Sequence, residues 1–431
     1  MRVLLIEKTP DGLLDIALRA QRRGHDVRYF LQTWNADKSP VGRGMLTRVP
    51  DWRASIAWAD IVILGSNDLP MLEIERRCQD RGVPLIGGGP ESAKWENDRL
   101  HGMSIFKKAG IPIPPVREFS DYDAAIAHVE REERPFYSKP CWPDADKALS
   151  CKTGVDADPA FMLKRFKRQY GRPKGKFILQ EPIQGIEVGV GGWFGPDGFA
   201  PGWEENFEFK RLCSGDVGPN TGEMGSVLRL VSKSKLAERV LLPIEDMLER
   251  TGFCGNIDVG TIIDEDGEVH PLEFTVRCGW PSTNIEQDLY DGDLIEFLAG
   301  LAEGSPPKNA RRMNEVAVGV VLALPPFPFP VTDYDQVVGW PIYGVVPSIE
   351  ERVHFAEAML DKGQLATAGD YVAICTGTGD TVQAARGQAY RTIERLQLPA
   401  NPFWRIDIGQ RLARDLPRLQ ERGFAKGLTY A

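Results

Sequence analysis

Apolar and amphipathic runs alternate over the first hundred residues, and this alternation limits the fold more than any other feature of the chain. VLLI (3–6) reads as a buried strand and LLDIALRAQRRG (13–24) as an amphipathic helix. DVRYFL (26–31) is a second strand and DIVILGS (60–66) a third. MLEIERRCQDRG (71–82) is a helix, and VPLIGGG (83–89) a further strand. Strand–helix alternation implies a parallel sheet with right-handed crossovers. Ligands of such sheets bind beyond the carboxyl ends of the strands, here Glu7–Gly12, Gly65–Leu69 and Gly87–Pro90.

The pattern then changes. A helical stretch, Lys94–Ala109, runs into the Pro-rich joint IPIPP (111–115), which reads as a domain boundary. RPFYSK (134–139) and KFILQE (176–181) read as strands of a separate small unit. From residue 186 the chain is strand-rich, and GNIDVGTIIDEDGEVHPLEF (255–274) is a hairpin turning at Asp266-Gly267. A final segment from near Asn314 holds strands AVGVVLAL and YVAICTG, the helix TVQAARGQAYRTIERL and a helical tail. Length alone, 431 residues, indicates about three domains. The pattern divides the chain at 1–110, 111–185, 186–313 and 314–431, a multidomain α/β and α+β protein with an N-terminal parallel α/β domain and a C-terminal mixed α/β domain.

Several function classes are disfavoured. The formal charge is −9, and the Lys/Arg cluster Lys164–Arg172 reads as a solvated helix face, so no nucleic-acid partner is expected. Seven scattered cysteines with no CxxC spacing argue against a disulfide framework and a structural zinc site. Five histidines make a His-based metal site or triad unexpected. The N-terminus has an acid after five apolar-rich residues, and no apolar run approaches the roughly 18 residues of a membrane span. The expectation is a cytoplasmic protein, monomer or dimer, with no membrane contact.

Five segments are candidates for chemistry. No GxxxxGK[ST] occurs, which excludes a P-loop. GVGGWFG (189–195) lacks a strand-to-helix context and reads as a glycine-rich strand. Lys139 ends a predicted strand, where it either holds a phosphate or is solvated. QEPIQGIE (180–187) either reads a nucleotide or is a plain edge strand. PLEFTVRCG (271–279) alternates, so Glu273, Thr275 and Arg277 share a face suited to Mg²⁺ and phosphate, or to a solvated salt bridge. GPNTGEMG (218–225) has little side-chain bulk, which lets main-chain N–H groups approach a charged ligand.

The order of Lys139, the acidic segment 180–187, Lys210, GPNTGEMG and Glu273–Thr275–Arg277 resembles that of ATP-grasp enzymes. More narrowly it resembles glycinamide ribonucleotide synthetases (phosphoribosylamine–glycine ligases), which carry GPNTGGMG after a KR pair and a metal strand like EFNxRFGDPE. Here the pair is Lys210-Arg211 and the strand EFTVRCGWPS. The family's helix-then-DIG pattern is matched by AYRTIERLQL and WRIDIG (404–409).

The resemblance implies an ATP-grasp fold, with 111–185 as the lid subdomain and 186–313 as the central subdomain. It implies ATP and Mg²⁺ as cofactors, activation of a carboxylate as an acyl phosphate, and attack by an amine. Carried over by position, Arg99, Lys139, Lys147, Glu181 and Glu187 would bind the nucleotide. Arg99 stands for a phosphate-binding Lys, and Lys147 falls in a mobile lid. Glu181 and Glu187 take the adenine and ribose sides. Glu273 and Thr275 would ligate the metal. Arg277 and Lys210 would act on the transferring phosphoryl group. Asn220, Thr221, Gly222, Trp280 and Asp258 fall on the substrate side, Asp258 also being placed to assist the metal.

The departures from the family pattern are concentrated. The lid, CWPDADKALSC, has no glycine, and Thr275 replaces Asn. EKTPDGLLD stands where the family holds a ribose 5-phosphate on a GNGGREH-like loop, and Trp280 replaces the acid of GDPE. These last changes predict a different amine, with Trp280 offering a flat apolar surface to a ring. The resemblance leaves three functions open: a ligase joining glycine or another amino acid to an altered amine, an authentic phosphoribosylamine–glycine ligase, and a non-catalytic nucleotide-binding protein.

Overall fold

A computed structural model of the chain describes residues 1–10, 12–32, 39–142, 149–307 and 310–431. The N-terminal sheet has five strands in the order Thr47–Arg48, Asp26–Leu31, Arg2–Glu7, Ile61–Leu64 and Leu85–Ile86, all parallel. Val3–Ile6 and Ile61–Leu64 of its central strands are apolar and buried, as a sheet covered on both faces requires. The helix Leu13–Arg22 packs one face of the sheet and buries Leu13, Leu14, Ile16, Ala17 and Ala20.

The expected single helical stretch at 94–109 is two helices, Pro90–Asn97 and Arg99–Lys108. Asp98 breaks them with an extended backbone, and its side chain accepts from His101 N at 3.0 Å. This N-cap satisfies an otherwise orphaned amide and makes Arg99 the first residue of the second helix.

The small unit is a four-stranded antiparallel sheet in the order Val116–Phe119, Phe177–Gln180, Tyr137–Pro140, Cys151–Lys152. Helices Tyr122–Glu132 and Phe161–Tyr170 cover it around a core of its own that includes Tyr122, Phe166 and Phe177.

The largest sheet holds the hairpin of Gly255–Asp264 and Val269–Thr275, then Gly185–Gly195, Trp203–Glu208, Gly225–Val231, Val316–Ala323, Tyr371–Gly379 and Val353–Phe355. This sheet runs straight across the boundary drawn at 313/314, because Val316–Ala323 pairs antiparallel with Gly225–Val231. The physical reason lies in AVGVVLAL itself. All eight residues of Val316–Ala323 are buried, and such a run needs partners on both edges and cover on both faces. Among the described residues no helix is long and apolar enough to cross a membrane, and all seven cysteines are free.

Candidate active site

Five side chains from separate segments converge over one face of the large sheet. Lys139 comes from Tyr137–Pro140, Glu187 from Gly185–Gly195, Lys210 from just past Trp203–Glu208, Glu273 from Val269–Thr275, and Arg99 from its helix start. Glu187 and Glu208 lie on neighbouring antiparallel strands, and Lys210 Nζ bridges them at 2.5 and 2.7 Å. Burial works against the Lys210 charge, but Glu187 and Glu208 hold the ammonium well above its ordinary range.

Arg99 Nη2 lies 2.8 Å from Glu273 Oε2, while its Nε and Nη1 are buried and have no hydrogen-bond partner among the described residues. Burial, with Arg99 and Lys210 nearby, pushes the Lys139 ammonium down to about 8, against the pull of Glu273 and Glu187. Buried donors left without acceptors are costly unless a ligand completes them. A cavity of about 400 Å³ beside this cluster is lined by Lys139, Glu187, Glu208, Lys210 and Asn220.

The same cavity is lined by Arg411, Arg414 and Arg418, which sequence reasoning did not select. They lie on and just before the C-terminal helix Leu412–Glu421. Their spacing places them on one helix face, a signal that a search for helical arginine stripes would have found.

The remaining expected residues are distributed unevenly. Glu181 pairs with Arg134 at 2.7 Å on an exposed rim, so its carboxylate is engaged away from the cluster. Thr221 N and Oγ1 both bond the Lys210 carbonyl, at 2.8 and 2.9 Å. That amide is therefore consumed by the loop itself rather than offered to a ligand. Asn220 Nδ2 donates to Ser150 O at 2.9 Å, tying the loop to the small unit, and a side chain at Gly222 would meet only open space.

Arg277 Nε lies 3.0 Å from Glu96, whose other oxygen receives Val276 N and Asn67 Nδ2. Trp280 packs against Tyr371 with centroids 4.8 Å apart and ring planes tilted by 54°, and its ring crowds Gly12 so closely that a Cβ there would lie 2.5 Å away. The ring expected to receive a ligand is thus packed against the protein. Lys147 and the centre of the lid lie outside the described residues.

Two arrangements went beyond what the sequence revealed, although it named Glu7 and Asp258. The first is at Glu7, fully buried at the end of the first strand. Its Oε2 accepts Leu13 N at 3.2 Å, at the N-terminus of the first helix, and the Tyr29 hydroxyl donates to its Oε1. A helix N-terminus is a ready anion site, and here the chain's own carboxylate occupies it.

The second feature is a group of buried acids further along the sheet face. Asp258 and Glu204 both lie opposite Gly191 in the ladders, and Asn206 Nδ2 donates to each at 2.9 Å. Burial raises Glu204 and Glu223 well above the carboxylate range, and burial with Glu208 nearby pushes Asp258 up to about 8. Strand alternation within WEENFE was the available signal for Glu204, Asn206 and Glu208.

Comparison with known proteins agrees with this geometry. Residues 98–283 match the family "Phosphoribosylglycinamide synthetase, ATP-grasp (A) domain". The chain is 29% identical over 349 residues to a phosphoribosylamine–glycine ligase of Ralstonia nicotianae, covering 78% of this chain and 80% of that one. It is 25% identical over 365 residues to a phosphoribosylamine–glycine ligase of Leptospira interrogans, covering 82% and 83%. Its fold is similar to the crystal structure of the phosphoribosylamine–glycine ligase of Thermotoga maritima, with a TM-score of 0.70 at 21% identity over 95% of this chain and all of that one. An N5-carboxyaminoimidazole ribonucleotide synthetase in complex with ADP follows at 0.60 and 15%, over 91% and 96%. The chain is an ATP-grasp ligase, and its residues 98–283 are an ATP-grasp domain of the phosphoribosylglycinamide synthetase type.

Proposed function

We propose that the protein is an ATP-dependent carboxylate–amine ligase that joins glycine or another amino acid to an amine other than phosphoribosylamine. Its nucleotide end is equipped for phosphoryl transfer. Lys139 and the unpartnered N–H groups of Arg99 supply cationic donors for the phosphates. Lys210, held charged, orients Glu187 and Glu208 at the cavity wall.

Mg²⁺ fits this donor set only together with a nucleotide. Among the described residues no group of three or more His, Cys, Asp or Glu could hold a metal alone. Glu273, half-exposed, and the Thr275 hydroxyl would be the protein's ligands, with phosphates and water supplying the rest. The ion would draw charge from the phosphoryl group as it transfers. In the proposed sequence the substrate carboxylate attacks the γ-phosphorus and ADP leaves. The amine then attacks the acyl carbon, phosphate leaves, and the amine loses a proton as the C–N bond forms.

The observation that carries the altered acceptor is Glu7. A phosphate needs amide donors or cations, and the first helix offers its leading amide to Glu7 instead. Nearby, Lys8 is engaged by Asp68 and by Ser66. The names of the relatives favour a second reading, an authentic phosphoribosylamine–glycine ligase. The proposal is tested by ADP release across a panel of amino acids and amines. Amine-dependent turnover without phosphoribosylamine supports it, and no turnover with any pair, despite ATP binding, would favour a non-catalytic nucleotide-binding protein.

A further inference from the structure

Among the described residues the buried acids beyond the metal strand have no cation in direct contact, Lys210 acting on Glu223 and Asp258 only at longer range. Glu204, Asp258 and Glu223 are 3%, 7% and 3% exposed. Lys210 is committed to Glu187 and Glu208, and Arg99 to Glu273. Among the described residues none of the three acids forms an ion pair. The contrast is Glu286, another buried acid close by, which receives Arg311 at 3.4 Å and the Trp193 indole N–H. A buried carboxylate without a partner is costly, and three together are costlier. MgATP carries net negative charge, so its arrival deepens the imbalance.

Two unpartnered atoms mark where a ligand would sit. Asn206 is 1% exposed; its Nδ2 serves Glu204 and Asp258, but its Oδ1 has no partner among the described residues. Glu223 Oε1 is likewise buried and without a hydrogen bond. Asn206 Oδ1 is an acceptor, and the carboxyls, which burial favours in their neutral form, become acceptors on giving up their protons, so the missing ligand is a cationic donor. The carboxylates do not converge tightly enough to form a metal-holding group.

The glycines of the GVGG run explain the layout. Gly189 and Gly191 lie on the same strand face, and a Cβ at Gly189 would fall 2.1 Å from Asn206 Oδ1, while one at Gly191 would fall 3.2 Å from Asp258 Oδ2. The polar side chains can lie across the sheet only because those positions lack side chains. Glu273 is opposite Gly260, and Asp258 is opposite Thr275, one pleat repeat further on. Two residues of strand span roughly 7 Å, so the acid row lies about that far beyond the metal carboxylate. Glu223 itself stands where the resembling family has glycine in GPNTGGMG.

We infer that the acid row of Glu204, Asp258 and Glu223 seats an alkylammonium group of the acceptor, which is therefore a diamine or longer polyamine. One nitrogen reacts at the acyl carbon, and a second, protonated nitrogen donates to the carboxylates and to Asn206 Oδ1. The inference rests on the ligase reading above and narrows its substrate class.

The test is calorimetry with the full chain and a non-hydrolysable ATP analogue plus Mg²⁺, followed by titration with 1,4-diaminobutane or with 4-aminobutan-1-ol. These probes share a length and differ in the second charge. The diamine should bind about tenfold more tightly than the amino alcohol. Glu204→Gln and Glu223→Gln, each isosteric, should bring that ratio close to one while leaving analogue affinity unchanged. Thermal unfolding checks that both variants fold, and Asp258→Asn serves as a third variant. A wild-type preference below threefold, or a preference that survives in all three variants, overturns the inference while the ligase reading stands. Absence of analogue binding overturns both.

Discussion

The proposed nucleotide and acceptor regions follow opposite electrostatic rules. At the nucleotide end, cations are arranged with acids that orient them: Lys210 between Glu187 and Glu208, Arg99 against Glu273, and Lys139, its ammonium lowered to about 8 by burial and the neighbouring cations. At the acceptor end, acids predominate. Glu7 fills a helix N-terminus, and Glu204, Glu223 and Asp258 have no cation in direct contact among the described residues. On the proposed reading, a shared scaffold keeps a site for one polyanion and gives up the site for a second. The fold is therefore a guide to the first half of the reaction and a poor guide to the acceptor.

The largest expected effect lies at the nucleotide end. Glu273→Gln should keep the fold and reduce Mg²⁺-dependent ADP release about a hundredfold, the equivalent of about 3 kcal/mol of transition-state stabilisation. Steady-state ADP release with the best amino acid and amine pair measures it. Near-normal turnover would move the metal role off this strand, with Asp258 the first alternative.

A smaller effect follows from Lys139. Burial with Arg99 and Lys210 nearby lowers its pKa in the empty protein to about 8, whereas bound phosphates favour the charged form. Analogue affinity should therefore be full below pH 8 and fall as pH rises through it, by about tenfold per unit at most. Lys139→Arg, which stays charged, should flatten the profile. An unchanged pH profile in Lys139→Arg would remove Lys139 from the phosphate site.

The smallest expected effect belongs to the acceptor end. Glu7→Gln preserves an acceptor for Leu13 N but loses the charge at the helix N-terminus. Urea unfolding should show a loss of about 0.5–1 kcal/mol, with nucleotide binding untouched. A loss of analogue affinity in this variant would show that the two ends are not independent.

How far the sequence revealed each end follows the same division. Strand alternation in PLEFTVRCG put Glu273 and Thr275 on one face, and the parallel sheet and the hairpin were readable from local periodicity. GVGGWFG is the strand it was read as. The acceptor end was less legible because its contacts join residues far apart in the chain. Glu7 meets Tyr29 and Leu13 only after the first crossover has formed. Asp258 and Glu204 are brought together by Asn206 across the ladder of Gly185–Gly195. Trp280 was expected to face a ligand, yet its ring is set against Gly12 and Tyr371, a residue 91 positions later. That the large sheet crosses the boundary at 313/314 was hidden for a similar reason, since the partner of Val316–Ala323 lies nearly a hundred residues upstream.

The most direct measurement of the central claim generates phosphoribosylamine in situ with glycine, Mg²⁺ and ATP and follows both glycinamide ribonucleotide and ADP. With the phosphate seat taken by Glu7, no product above background should form, although a non-hydrolysable ATP analogue binds in the micromolar to millimolar range. Efficient formation of glycinamide ribonucleotide, with kcat/KM of about 10⁴ M⁻¹s⁻¹ or more, would contradict the account and restore phosphoribosylamine as the acceptor.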